Sequence, residues 1–222
     1  MDGNPSLLTN PSRPSPPRIL IAENDTSTLE ALTRVIDEGV LQTDFHVCTS
    51  FDGFMDKLLG PPYQLIISGV HLTAMNDFFP LRHNQVLQPN VPFVVSAGAS
   101  ERESARRALE YGAFDLIIRP FSAVQTMSTI RRALWQHKLL ALIAGEEKAL
   151  EKYRQHFAAY PGDKKTKETF RKALLAVQKT ITSYERTIQR IEESRMCFLH
   201  LAAGLEKEAR ERAWKRLDVV SK

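Results

Sequence analysis

Up to residue 121 the chain alternates short, uniformly apolar runs with stretches whose apolar residues recur every three or four positions. The runs at 18–22, 45–48, 64–68, 92–96 and 116–118 are rich in Ile, Val, Leu and Phe and are bounded by turn-forming residues, which predicts strands. Between them, Leu29, Leu32, Val35 and Ile36 define a helix capped by Asp25 or Thr26. Phe51, Phe54, Leu58 and Leu59 define a second, stopped by Gly60, Pro61 and Pro62. A loop through Thr73, Ala74 and Met75 is expected to lead into a third helix near 77–87. Ser100 or Glu101 opens a fourth, with Ala105, Ala108 and Leu109 inward and Gly112 at its close. Runs that are apolar throughout imply strands covered on both faces, so the fold class is α/β, a five-stranded parallel doubly wound sheet. Such sheets bind ligands outside the carboxyl ends of their strands.

After residue 121 the pattern is helical only. Met127, Ile130, Leu134 and Trp135 fit the sheet-facing side of a fifth helix, and Leu139, Leu142, Ala149, Tyr153 and Phe157 prolong its apolar seam. Gly145 weakens this arm by about 1 kcal/mol relative to Ala, and Pro161 and Gly162 break it. In the second arm, Phe170, Leu174, Val177, Ile181, Tyr184, Ile188, Ile191, Arg195, Phe198, Ala202 and Leu205 step by four and three, with Arg195 the sole charged interruption. This heptad predicts a coiled-coil helix from about 166 to 217. A hairpin of two helices cannot bury both seams, so a homodimer completing a four-helix bundle is expected. The predicted organisation is a disordered leader over 1–17, a sheet domain over 18–135, and a helical hairpin over 136–222 continuous with the fifth helix.

Apolar residues make up 43% of the 222, ample for a core. The leader is rich in Pro, Ser and Asn and lacks the apolar stretch of a signal peptide. No run approaches the roughly 18 apolar residues of a membrane span, so a cytoplasmic protein without membrane contact is expected. Cys48 and Cys197 match no metal spacing and read as reduced thiols. Charge is divided unevenly: residues 1–121 hold 9 Lys and Arg against 14 Asp and Glu, residues 122–222 hold 21 against 12. Opposite signs suggest two modules. The basic runs at 164–167 and 210–216 offer contacts to nucleic-acid phosphates, the basis of an alternative function as a transcription or RNA regulator.

Three stretches carry a family resemblance: Ile-Leu-Ile-Ala-Glu-Asn-Asp at 19–25, Tyr-Gln-Leu-Ile-Ile-Ser-Gly-Val at 63–70, and Gly-Ala-Phe-Asp followed by Arg-Pro-Phe within 112–121. From residue 18 to about 135 the chain resembles the receiver domain of two-component response regulators. The resemblance implies an acidic pair binding Mg²⁺, a phosphoacceptor Asp, a hydroxyl and a Lys that holds the acyl phosphate. Here those positions fall on Glu23 and Asn24, on Gly69, on Ala97 and on Arg119 before Pro120. Glycine has no side chain to phosphorylate, so no phosphoacceptor remains; Ser68 and His71 do not replace it, and the pocket reads as degenerate. No catalytic residue, metal or cofactor is assigned, and no enzyme activity is expected. By resemblance the Arg119–Pro120 bond is cis, and Glu23 and Arg119 are expected to pair across the site. A protein partner is expected at the fourth-helix face, around Arg106, Arg107 and Tyr111. His137, His156 and His200 lie in no phosphotransfer motif. The reading is a pseudo-receiver adaptor of two-component signalling, outside the chemistry of the phosphorelay.

Overall fold

The computed structural model describes the backbone of residues 16–39, 43–158 and 162–220, with side chains through 195 except those of 76 and 158. The leader, apart from its last two residues, and the seam residues Phe198, Ala202 and Leu205, with Cys197, His200 and the 210–216 run, carry expectations that lie outside the described residues or side chains. The chain forms two compact units, Met1–His137 and Lys138–Lys222.

In the first unit, strands β1 (Arg18–Ala22), β2 (Asp44–Cys48), β3 (Leu65–Gly69), β4 (Phe93–Ala97) and β5 (Asp115–Ile118) form one parallel sheet in the order β2-β1-β3-β4-β5. The α/β doubly wound class is thus observed. Helices α1 (Thr26–Glu38), α2 (Phe51–Leu58), α3 (Val70–Leu87) and α4 (Arg102–Glu110) connect the strands, with a 3₁₀ turn at Ala99–Glu101 before α4. Leu20, Ile66 and Val95 share a core with Phe54, Phe78, Leu81, Ala105 and Ala108 from α2, α3 and α4. Alternate strand positions point to the opposite face, and Ile19, Ile21, Ile67 and Val94 there are fully or almost fully buried. On that side α5 (Ala123–Ala158) meets α1: Arg131 donates to the Gly39 carbonyl, and Met127 lies where a Cβ of Gly39 would be. Of the expected face, Met127 and Ile130 are buried and Leu134 is half-buried, whereas Trp135 is exposed and Ala133 is buried in its stead.

Local chemistry sets the helix ends. The Asp25 carboxylate accepts the Thr28 N–H at 2.9 Å and caps α1; bonds from Thr28 and Ser27 hold its carboxyl down at about 2. Gly112 closes the α4 loop at φ +91°, in the left-handed region, as its position after the helix foretells. Burial pushes the Cys48 thiol up to about 11.

The loop expected through Thr73, Ala74 and Met75 is instead helix, because nothing between Gly69 and Asp77 breaks it and Thr73 donates to the Gly69 carbonyl at 2.9 Å. The interruption comes later, at Asp77 and Phe78, whose φ values of 56° and 59° are left-handed. Pro80 follows two residues later, inside the helix. This costly backbone is held by packing: Phe78 is buried and stacks on Tyr111 at 4.8 Å, and Arg107 lies over both rings. Asp77 accepts from Arg107 at 3.1 Å and from the Tyr111 hydroxyl at 3.3 Å.

In the second unit, α5 ends at Ala158 and α6 (Lys164–Val220) begins after Asp163, which accepts the Thr166 N–H at 2.9 Å. Rings of Phe157 and Phe170 lie 5.8 Å apart, bringing the end of α5 against the start of α6. The α6 positions Phe170, Leu174, Val177, Ile181, Tyr184, Ile188, Ile191 and Arg195 are all partly or fully buried, while residues on the far side are exposed. The α5 seam keeps the expected Leu139 and Phe157, with Ala149 partly buried, but departs from the expected one between them. Leu139, Ile143, Leu150 and Phe157 face inward, while Leu142 and Tyr153 are exposed. Competing apolar neighbours, Leu142 beside Ile143 and Ala149 beside Leu150, make both phases readable in the sequence.

Candidate functional site

The carboxyl ends of β1, β3, β4 and β5 bring the expected pocket residues together, but divide them into two clusters. The first is buried. Glu23, 2% exposed, accepts the Ser96 hydroxyl at 3.1 Å on one oxygen and the Asp25 N–H at 3.1 Å on the other. Gly69 pairs with Ser96 in the β3–β4 register, so a side chain at 69 would share the strand face of Ser96. That space is filled: a Cβ on Gly69 would lie 2.6 Å from Glu23 Oε2. Ala97, the expected hydroxyl position, instead stands on the other strand face in the core, and the hydroxyl in the pocket is that of Ser96 one residue earlier, because neighbouring strand residues face opposite sides. Asn24 is exposed at the rim. Ser68 is fully buried and donates to the Gly69 carbonyl at 3.2 Å, so it faces no solvent.

Arg119, bonded to Pro120 through a cis peptide, organises the second cluster. The expected pair with Glu23 is not formed. Arg119 Nη2 meets Glu101 Oε2 at 2.5 Å, and Nη1 donates to Thr28 Oγ1 on α1 at 3.0 Å. The reason is distance from solvent and competition: Glu23 is already bonded to Ser96 and Asp25, whereas Glu101 swings back from the 3₁₀ turn. Its carboxylate also accepts the Gly98 N–H at 2.5 Å and pairs with His71 at the start of α3. Burial works against the Glu101 charge, but the Gly98 N–H and Arg119 outweigh it and hold the carboxyl below its usual range. Gly98 followed by Glu101 is the spacing by which a side chain returns to a helix start. That signal was legible, whereas the reach to Arg119 and His71 was not.

The donor set does not suit Mg²⁺. A hard cation takes about six oxygens, most of them carboxylate or carbonyl, and this site supplies one buried carboxylate with both oxygens already accepting bonds. Among the described residues, no group of three His, Cys, Asp or Glu side chains is placed to hold a metal ion.

On the α4 face, Arg107 and Tyr111 contact α3 as described, while Arg106 pairs along its own helix with Glu103 at 2.6 Å and with Glu110. His137 bonds the Asn90 carbonyl through Nδ1 at 2.8 Å, and His156 bonds the Lys152 carbonyl of its own helix at 2.8 Å. Among the described residues, no helix is long and apolar enough to cross a membrane.

The β2-β1-β3-β4-β5 parallel sheet with helices between its strands is a fold seen in solved structures. The receiver domain of an HD domain-containing protein from Pseudomonas fluorescens Pf-5 superposes with a TM-score of 0.52 at 18% identity, over 59% of this chain and 96% of that one. The first unit has a receiver fold. An adenylate cyclase from Rhodopirellula baltica gives a TM-score of 0.51 at 19% identity, over 62% of this chain and 98% of that one. In sequence, the response regulator ArlR of Staphylococcus aureus is 29% identical over 119 residues, which is 53% of this chain and 52% of that protein. The chain thus spans about half the length of the curated relatives it matches. No protein-family model matches it.

Proposed function

We propose that this protein is a phosphorylation-independent adaptor of two-component-type signalling, a pseudo-receiver joined to a helical hairpin that dimerises. One observation carries the reading: where a receiver presents its acceptor, this chain has Gly69, with the Glu23 carboxylate in the space of the missing side chain. The protein is not an enzyme in this reading. The first unit recognises a protein partner, and Arg106, on the outer side of α4 with its side chain well exposed, belongs to that surface. The half-buried seam of α6 supports the dimer, because a face that the hairpin leaves partly open gains from a second copy. The adaptor works in the cytoplasm in this reading. Incubation with acetyl phosphate and Mg²⁺, followed by intact mass, tests the reading. The expected result is no added phosphoryl group, and stoichiometric addition would sink it.

A second reading rests on a different observation. On the side of α6 away from its seam, Lys165, Lys172, Lys179 and Arg186 recur every seven residues, and every one is exposed. The positions four residues on from each, Thr169, Ala176, Ser183 and Arg190, carry no acid, and Glu168, exposed between Lys165 and Lys172, is an acid on this side. A basic ridge of this regularity suits the phosphates of a nucleic acid. If four phosphates are neutralised, log affinity for a duplex falls with log salt at a slope of about −3 to −4. Fluorescence anisotropy with a labelled oligonucleotide across a salt series checks this, and an absence of binding at low salt removes the reading.

A further inference from the structure

The Glu101 carboxylate joins three segments that are distant in sequence. It comes from the 3₁₀ turn leading into α4, it accepts from Gly98 at the end of β4, and it pairs with Arg119 after β5 and His71 in the first turn of α3. A helix cap needs only the Gly98 contact. The other two contacts add nothing to the turn's own backbone, and each ties it to a neighbouring element. Arg119 is itself tied onward to Thr28 on α1, a side chain that is almost wholly buried. At the other end of α4, Arg107 and Tyr111 grip the left-handed break in α3 through Asp77 and Phe78. So α4 is held at both ends, and at its N-terminal end the Glu101 carboxylate is a pin to two neighbouring elements.

We infer that Glu101 is a latch in cis, a carboxylate that fixes the β4–α4 turn against the start of α3 and the β5–α5 loop, so that this edge of the first unit holds one conformation without a covalent signal. The inference rests on the phosphorylation-independent reading for its meaning, since a latch supplied by the chain replaces a contact that would otherwise be supplied from outside. Its geometry stands apart from that reading. Glu101 and Arg119 have side chains 13% and 25% exposed, so their pair is only partly screened by water. His71, 66% exposed, is the open side of the latch.

Amide hydrogen exchange on the full chain, resolved by peptide, tests the latch in Glu101→Gln, His71→Ala and Arg119→Ala. Glu101→Gln retains an oxygen for the Gly98 N–H and loses the charge, so it separates latch from cap. The latch predicts exchange about tenfold or more faster in Glu101→Gln over residues 98–104, over 70–74 and over 119–123 together. It also predicts that His71→Ala, on an exposed side chain with little folding cost, speeds exchange at 98–104. Arg119→Ala is expected to free 70–74, which it does not touch. Amides of β3 and β4 report whether each variant stays folded. Wild-type exchange at 70–74 and 119–123 in Glu101→Gln overturns the inference and leaves Glu101 a local cap. An unchanged 98–104 segment in His71→Ala overturns it as well. Neither result touches the intact-mass outcome, so the latch and the adaptor reading fail separately.

Discussion

At Gly69 the absence of one Cβ decides which chemistry the end of β3 supports. Glu23 has moved into that space and is fixed there by Ser96 and the Asp25 N–H, so restoring a carboxylate at 69 does not restore a site. Gly69→Asp is expected to take up no phosphoryl group from acetyl phosphate by intact mass. It should also lose about 1–3 kcal/mol in urea unfolding, since overpacking a buried position costs that much. Charge follows the same logic at Asp25 and Glu101, whose carboxyls sit below their ordinary range, Asp25 at about 2. A depressed carboxyl contributes stability that is complete above its unfolded value near 4 and is lost as pH falls through the folded value. The thermal midpoint is therefore expected to fall on going from about pH 4 towards 2. Asp25→Asn and Glu101→Gln should each flatten that limb when melting is followed by circular dichroism.

Elements in this protein end where backbone freedom or a side-chain cap allows, and are held where tertiary packing demands. Gly112 shows both. Its φ of +91° is unfavourable for other residues, and a Cβ there would meet the Gln85 amide, which donates to the Tyr111 carbonyl at 2.7 Å. Gly112→Ala is expected to cost about 1–3 kcal/mol by urea unfolding, more than a Gly to Ala change at the unobstructed Gly145, where helix propensity favours Ala by about 1 kcal/mol. In α6, Ile181 is the most buried of the described seam positions at 3% exposure. Ile181→Ala should lower stability by about 2–5 kcal/mol, while Leu175→Ala, at an exposed neighbour off the seam, should stay within about 0.5 kcal/mol.

On the scale of the whole molecule, the two units differ in charge, in composition and in how fully they bury their apolar residues. The sheet unit closes its core, whereas the described α6 seam stays half open. Light scattering is expected to report a dimer for residues 1–222 and a monomer for a chain ending at His137; a full-length monomer would remove the dimer from the proposal. The sheet was legible from the sequence because five runs, apolar on both faces, permit few arrangements other than a parallel doubly wound sheet. The α6 helix was legible because its heptad persists over many turns and no competing phase fits. The emptiness of position 69 was also readable, since it depends on a residue's type alone. The partner of Arg119 was not, because two carboxylates lay within its possible reach. Only the folded arrangement, which buries Glu23 against Ser96 and turns Glu101 back from the β4–α4 turn, selects between them. The α3 break was hidden for a similar reason. Asp77 and Phe78 have no intrinsic preference for left-handed backbone strong enough to read, and that conformation is held there by Arg107 and Tyr111 from a helix about thirty residues further along the chain.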